Sequence, residues 1–494
     1  MKKDGSHYGG NFMNIVISNK KADADVYFIR NTDKFFCNDK VNDDVKGIFN
    51  HLQSNNDISS KKYEISYYND INSLNKYIFV GLGNEVDFEV VRRAMSELIK
   101  FLYKKSVESI SIKLDSRINN SDYIKTIAES AILSSYNYDD YLTSKKEFYL
   151  KKIYIDVNET NENLDSINEG ISLANATNIA RDLVNEPANI QTPEKLANEV
   201  MSLSKEHGFE AEILDEKDII NLNMQSFYEV AKGSINKPKL IVMRYYGDKD
   251  DSEVIGLIGK GVTYDSGGLN LKSGSRFITM KHDMAGGATV IGAMCAIAKQ
   301  KLKKNVVAVV AACENLISNT AYKPGDIIGS MAGKTILITS TDAEGRLTMI
   351  DAITYAIRKE NVNKIIDIAT LTGASRRMFG DYASSVMCND DEFYKVFEKA
   401  SKAVGELVCR VPEIEDAVSS IKGEISDYVN SAASETCGMI TASLFIREFV
   451  ENKPWIHIDA AGPCWLERSM YYQPKGGSGW GTRTLYQTVK NMTM

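Results

Sequence analysis

The sequence predicts an α/β protein of two domains: a smaller N-terminal α/β domain, and a larger C-terminal domain whose mainly parallel sheet is flanked by helices. Three observations carry this. The 494 residues exceed one core at roughly 100–200 residues per domain. Composition changes along the chain, from an Asn-, Asp-, Ser-, Lys- and Tyr-rich first third to a segment of apolar runs and glycines. Beyond about residue 190, apolar strand runs alternate with helical patterns, the signature of strands buried on both faces.

The first domain is expected over residues 1–165, with the first 12 or so as a leader ahead of Met13-Asn14-Ile15-Val16-Ile17. Tyr77–Val80 and Ile110–Ile112 read as strands, and Phe88–Tyr103 and Tyr123–Leu133 carry apolar residues at helical spacing. Gly81-Leu82-Gly83 lacks the third glycine of a dinucleotide fingerprint and reads as a turn. A helix at 166–183, stopped near Asn185-Glu186-Pro187, is expected to lead into the second domain, 166–494. There Val254–Ile258, Val306–Val310, Ile336–Ile338, Ile365–Ile368 and Ile456–Ile458 read as strands. Met284–Lys299, Leu347–Lys359 and Ile440–Val450 read as helices. Lys475–Gly481 is expected to be a mobile loop at the site rim or an assembly contact.

Hydrophobic residues at 43 % and charged residues at 25 % are those of a globular chain. With 59 Lys plus Arg against 66 Asp plus Glu, the net charge of −7 gives no case for nucleic acid or an anionic membrane surface. No apolar run is long enough to span a bilayer, and the lysines of the N-terminus precede no apolar core. Seven cysteines without CxxC spacing suggest reduced thiols and a cytoplasmic protein, with Cys313 and Cys437 expected to be buried.

Ligands of open α/β sheets bind beyond the carboxyl ends of the strands. Chemistry is therefore sought in the polar residues that follow the apolar runs. Gly259-Lys260-Gly261…Asp265-Ser266-Gly267-Gly268…Lys272 follows the first run, Asp283 precedes a small-residue helix, and Thr341-Asp342-Ala343-Glu344-Gly345-Arg346 follows Ile336–Ile338. Four carboxylates gathered among glycines need cationic compensation, which two divalent metals about 3.5–4 Å apart supply. Only five histidines occur and no HExxH is present. A lysine can join such a site only as the neutral amine, after metal and dryness lower its pKa. Gly329–Thr335 has its glycines one residue too close for a phosphate loop, and no G-x-S-x-G elbow surrounds Ser266 or Ser478.

These residues resemble the leucyl (cytosol) aminopeptidase family. Its signature Asn-Thr-Asp-Ala-Glu-Gly-Arg-Leu appears as Ser340-Thr341-Asp342-Ala343-Glu344-Gly345-Arg346-Leu347, and the Lys260–Asp283 segment matches in order and spacing. Asn185–Asn189, Thr192-Pro193, Ala369–Ala374 and Trp455–Asp459 extend the likeness over most of residues 175–490. The resemblance implies two metal ions per subunit, Mn²⁺ or Zn²⁺, held by Lys260, Asp265, Asp283, Asp342 and Glu344. Asp265 and Glu344 would bridge both ions, Lys260 and Asp283 would complete the tighter site, and Asp342 the exchangeable one. Lys272 would stabilise the oxyanion, and Arg346 would hold a bicarbonate acting as general base toward a bridging water. Met280, Thr370 and Gly373 would line the pocket for the first side chain, with the free amine on a metal.

The activity implied is release of leucine and other apolar N-terminal residues from peptides by a cytoplasmic homohexamer. Cys-Gly or other dipeptides stand as an alternative preference, and a nucleic-acid-binding role as the reading from another class. Departures from the family pattern are Ser340, Asn270-Leu271, His282, Arg376-Arg377 and Ala460; none removes a ligand. His282 reads as either a partner of the site or a satisfied polar residue.

Overall fold

The computed structural model describes residues 13–30, 43–71, 75–114, 118–145, 147–432 and 436–493. The expected leader falls outside them. Two compact units result: residues 1–178 with 468–474, and residues 179–467 with 475–494. The division lies inside one helix, Asn161–Asn185, which encloses the helix predicted at 166–183.

The first unit is built on six strands in the order Asn14–Ile17, Lys152–Asp156, Ser109–Lys113, Ala24–Ile29, Lys76–Gly81 and Ile65–Asn69, parallel except for the last pair. Alternation sorts the side chains by face. Val26, Phe28, Ile78 and Val80 face one core with helices Phe88–Leu102 and Ser121–Ser135, while Tyr27, Ile29, Tyr77 and Phe79 face helix Asp43–Ser54. Asp87 and Asn120 cap the first two helices by accepting from Val90 N (2.8 Å) and Tyr123 N (3.1 Å). Tyr472, from the 468–474 segment, belongs to this core and donates its hydroxyl to Glu89 (3.1 Å).

The second unit holds an eight-stranded sheet, in the order Leu407–Arg410, Ala383–Cys388, Trp455–Asp459, Lys364–Ala369, Val254–Asp265, Asn305–Asn315, Lys239–Tyr246 and Glu210–Leu214. The central Val254–Asp265 strand is parallel to both neighbours. The pairings of Ala383–Cys388 with Trp455–Asp459 and of the last three strands are antiparallel, which makes the sheet mixed toward its edges. The predicted strand at Ile336–Ile338 does not join it. Ile336–Leu337 lies in a separate three-stranded sheet, because it pairs with Ile327–Ile328 and Tyr428–Val429.

Small residues let helix Ala285–Lys299 rest directly on the strands. A Cβ on Gly286 would stand 2.1 Å from the Ile368 carbonyl, and one on Gly259 2.6 Å from Gly287 Cα. This close approach fixes Asp283, two residues before the helix, near the carboxyl ends of the strands. Lys475–Gly481 departs from expectation. Gly476 to Trp480 are buried, Gly477 N donates to Asn185 Oδ1 (2.9 Å) and Ser478 N to the Cys464 carbonyl (3.1 Å), so the segment is interior rather than a rim loop. Cys313 is buried, but Cys437 is exposed at the start of a helix.

Beneath the site, Asp367 and His457 face each other across parallel strands. Asp367 accepts from Trp455 Nε1 and meets His457 Nδ1, both at 2.5 Å. Burial alone would lower the His457 pKa, but the Asp367 charge and hydrogen bond outweigh it and raise it. The stability this pair contributes is full below the unfolded histidine value of about 6.5 and fades as pH rises through the higher folded value. His457→Gln should therefore lower the thermal midpoint more at pH 6 than at pH 9. Equal losses at both values would show that the pair's charge contributes nothing.

Candidate active site

The central strand delivers Lys260 within its run and Asp265 at its end. The chain then reverses through Gly267 and Gly268, whose φ values of +86° and +63° are left-handed and need glycine. Asp265 Oδ1 fixes this turn by accepting from Gly267 N (2.8 Å). Glu344 opens helix Glu344–Glu360, and Asp342 precedes it on an exposed turn. Together these elements bring carboxylate oxygens of Asp265, Asp342 and Glu344 within 4.8 Å of one another.

Two ammonium groups thread the cluster. Lys260 Nζ lies 2.7 Å from Asp283 Oδ2 and 2.8 Å from Glu344 Oε1. Lys272 Nζ lies 2.5 Å from both Asp265 and Asp342. A Cβ on Gly345 would stand 2.7 Å from Lys260 Nζ, so a glycine there leaves the path to Glu344 open. Burial opposes the charge on both lysines, but the surrounding carboxylates outweigh it and hold them protonated, their pKa values raised. The lowered lysine pKa expected from sequence belongs to the metal-loaded site, where bound ions would neutralise these same acids. Burial and then repulsion from Glu344 push Asp265 up to about 6. Burial likewise raises Asp283 and Asp342, whereas Lys260 and Lys272 overcome burial at Glu344 and lower it.

The donor set suits divalent cations. Its ligands are hard carboxylate oxygens, and the buried Glu344 Oε2 has no hydrogen-bond partner among the described residues. Arg346 is buried, donates Nη1 to the Asn430 carbonyl (2.8 Å) and leaves Nε without a partner among the described residues. Burial depresses its pKa to about 10, which still leaves it cationic at neutral pH.

Thr370 supports the cluster directly. Its Oγ1 donates to Asp283 Oδ1 (2.8 Å) and its carbonyl accepts from Lys260 (3.3 Å). Gly373 is exposed three residues later, and Met280 lies half-buried in the turn that carries Asp283. His282 stacks on Trp465 with ring centroids 5.3 Å apart, and its Nδ1 meets the Thr279 carbonyl. Burial pushes it down to about 4, so it is a neutral, satisfied residue.

Three further residues support the site in roles that sequence reading does not assign. Asn315 donates Nδ2 to Asp265 (2.8 Å) and to the Thr341 carbonyl (3.0 Å). Asn270 accepts from Thr341 N (2.8 Å), tying the two acidic loops together. Asp459 accepts from Leu371 N (3.1 Å) and Thr372 Oγ1 (2.6 Å), fixing the loop that follows Thr370. Asn315 could have been found, since it ends an apolar strand run as the other site residues do.

Comparison with known proteins agrees with this geometry. The catalytic-domain model of the cytosol aminopeptidase family matches residues 178–486, and its N-terminal-domain model matches residues 30–145. A probable cytosol aminopeptidase of Clostridium perfringens is 49 % identical over 420 residues, 83 % of this chain and 85 % of that protein. One from Alkaliphilus oremlandii is 43 % identical over 427 residues, 84 % of this chain and 85 % of its own. Among solved structures, the bottromycin maturation enzyme BotP in complex with Mn aligns with a TM-score of 0.84 and 26 % identity, covering 96 % of this chain and 100 % of its own. Matched in both domains and along more than four-fifths of its length, the chain belongs to the cytosol aminopeptidase family of metal-dependent peptidases.

Proposed function

We propose that the chain is a two-metal aminopeptidase that removes leucine and other apolar residues from the N-termini of peptides. The observation that carries this is the convergence of Asp265, Asp342 and Glu344 within 4.8 Å, with Lys272 against two of them. Lys260, Asp265, Asp283, Asp342 and Glu344 are the residues that would hold two divalent ions, Mn²⁺ or Zn²⁺. When bound, such ions polarise a carbonyl and activate water for attack. Neutralising the carboxylates also removes what keeps Lys260 protonated, freeing its amine as a ligand.

Lys272 supplies a positive charge for the oxyanion that develops on the scissile carbonyl. Its half-buried position beside the carboxylates makes that charge worth more than it would be in water. Arg346, cationic and with Nε unpartnered among the described residues, would be the seat for bicarbonate. Thr370 and Asn315 keep Asp283 and Asp265 oriented by hydrogen bonds. Met280, Thr370 and Gly373 wall the pocket for the first side chain, and peptides are the partners. The working state is a cytoplasmic homohexamer, as the family likeness implies. Among the described residues no helix is long and apolar enough to cross a membrane.

The test is hydrolysis of leucine amide by metal-stripped protein, titrated separately with Mn²⁺ and Zn²⁺. Activity should appear with metal, vanish with chelator and fail on N-acetyl-leucine amide, whose amine is blocked. Folded protein that stays inactive with both ions, or that cleaves the acetylated substrate readily, would overturn the reading.

A further inference from the structure

The helix Gly373–Phe379 places Arg376 and Arg377 immediately after the loop that supports Asp283. The two arginines differ in surroundings. Arg376 Nη2 is 3.4 Å from Asp381 and 3.7 Å from Glu467, so its charge is already compensated. Arg377 is exposed and has no hydrogen-bond or ion-pair partner among the described residues. Its guanidinium nonetheless does not extend away from the helix. Nη1 stands 3.3 Å from where a Cβ on Gly373 would be, so the group folds back over the bare face of that glycine.

Gly373 belongs to the wall of the first-residue pocket in the proposed aminopeptidase, and a role for Arg377 there rests on that proposed function. A guanidinium offers five donors in a planar fork matched to a carboxylate, and here none is engaged. We propose that Arg377 makes the first-residue pocket receptive to a carboxylate, so that peptides beginning with glutamate or aspartate are substrates alongside those beginning with leucine. The aliphatic stem of Arg377 can lie along an apolar side chain while its head turns to water. An acidic side chain instead meets the head directly.

The experiment uses the metal-loaded full chain and compares kcat/KM for glutamyl amide and glutaminyl amide, which match in size and differ in charge. Arg377→Gln should lower the glutamyl-to-glutaminyl ratio about tenfold, mainly through KM, as loss of a charged hydrogen bond does. Arg377→Glu should lower it further and raise lysyl amide relative to norleucyl amide. Arg376→Gln should leave the ratio in place. Isothermal titration should show the same order, with free glutamate binding more weakly to Arg377→Gln than to the parent. If leucine amide is cleaved but the ratio is indifferent to both Arg377 variants, the assignment is wrong and the peptidase reading stands. It is equally wrong if Arg377→Gln changes only the Leu-Glu to Leu-Gln ratio, which places the carboxylate on the second residue. Failure of the loaded parent to cleave leucine amide would bring down the peptidase reading, and this inference with it.

Discussion

Replacing Glu344 with alanine should empty the site of metal and lower kcat/KM by at least about 10³-fold, since a Lewis acid contributes several kcal/mol to such a barrier. Glu344 is the acid that joins both sides of the cluster. Its carboxyl shares the 4.8 Å group with Asp265 and Asp342, and its Oε1 meets Lys260, which in turn meets Asp283. Its second oxygen is buried with no hydrogen-bond partner among the described residues, so it is available to a ligand. Truncation removes the link and leaves Lys260 with Asp283 as its remaining close acid. Metal content by elemental analysis and activity should fall together. Glu344→Gln should also lose metal, although it keeps shape and volume, because the ion needs the charge. A folded Asp342→Ala/Glu344→Ala double variant that retains both metal and activity would end the two-metal proposal.

The sequence carried more of the site than of the edges of the fold. Asp265, Asp283, Asp342 and Glu344 were legible because each sits where an apolar run gives way to glycine or a helix start, and function in an open α/β sheet lies at those points. Strands Val254–Asp265 and Asn305–Asn315 are legible in sequence only over part of their length. Their terminal residues, Asp265 and Asn315, are polar and serve the site, so the pairing runs on past the apolar pattern. Ile336–Leu337 is legible as a strand but its sheet is not, because local pattern does not encode the partner. The role of Asp459 is not legible in sequence because its task is to hold backbone N–H groups of a loop, and any acid at a strand end could do that.

Replacing Lys272 with alanine should separate chemistry from metal binding, with kcat down about 10²–10³-fold, the usual scale for one lost oxyanion donor. Lys272 comes from the segment after the Gly267–Gly268 turn and reaches Asp265 and Asp342 at 2.5 Å each. In that position it competes with a cation for the same two carboxylates. Its removal makes the cluster more negative, so metal content should hold or rise, the opposite of the Glu344 result. KM should change little, because a group whose contact strengthens as charge develops on the carbonyl contributes to the transition state more than to the bound substrate. Lys272→Arg keeps the charge but spreads it over a planar fork and should restore only part of the rate. Elemental analysis beside steady-state kinetics decides the matter. A fall in metal and rate together would make Lys272 part of the metal scaffold, whereas an unchanged kcat would remove it from the chemistry.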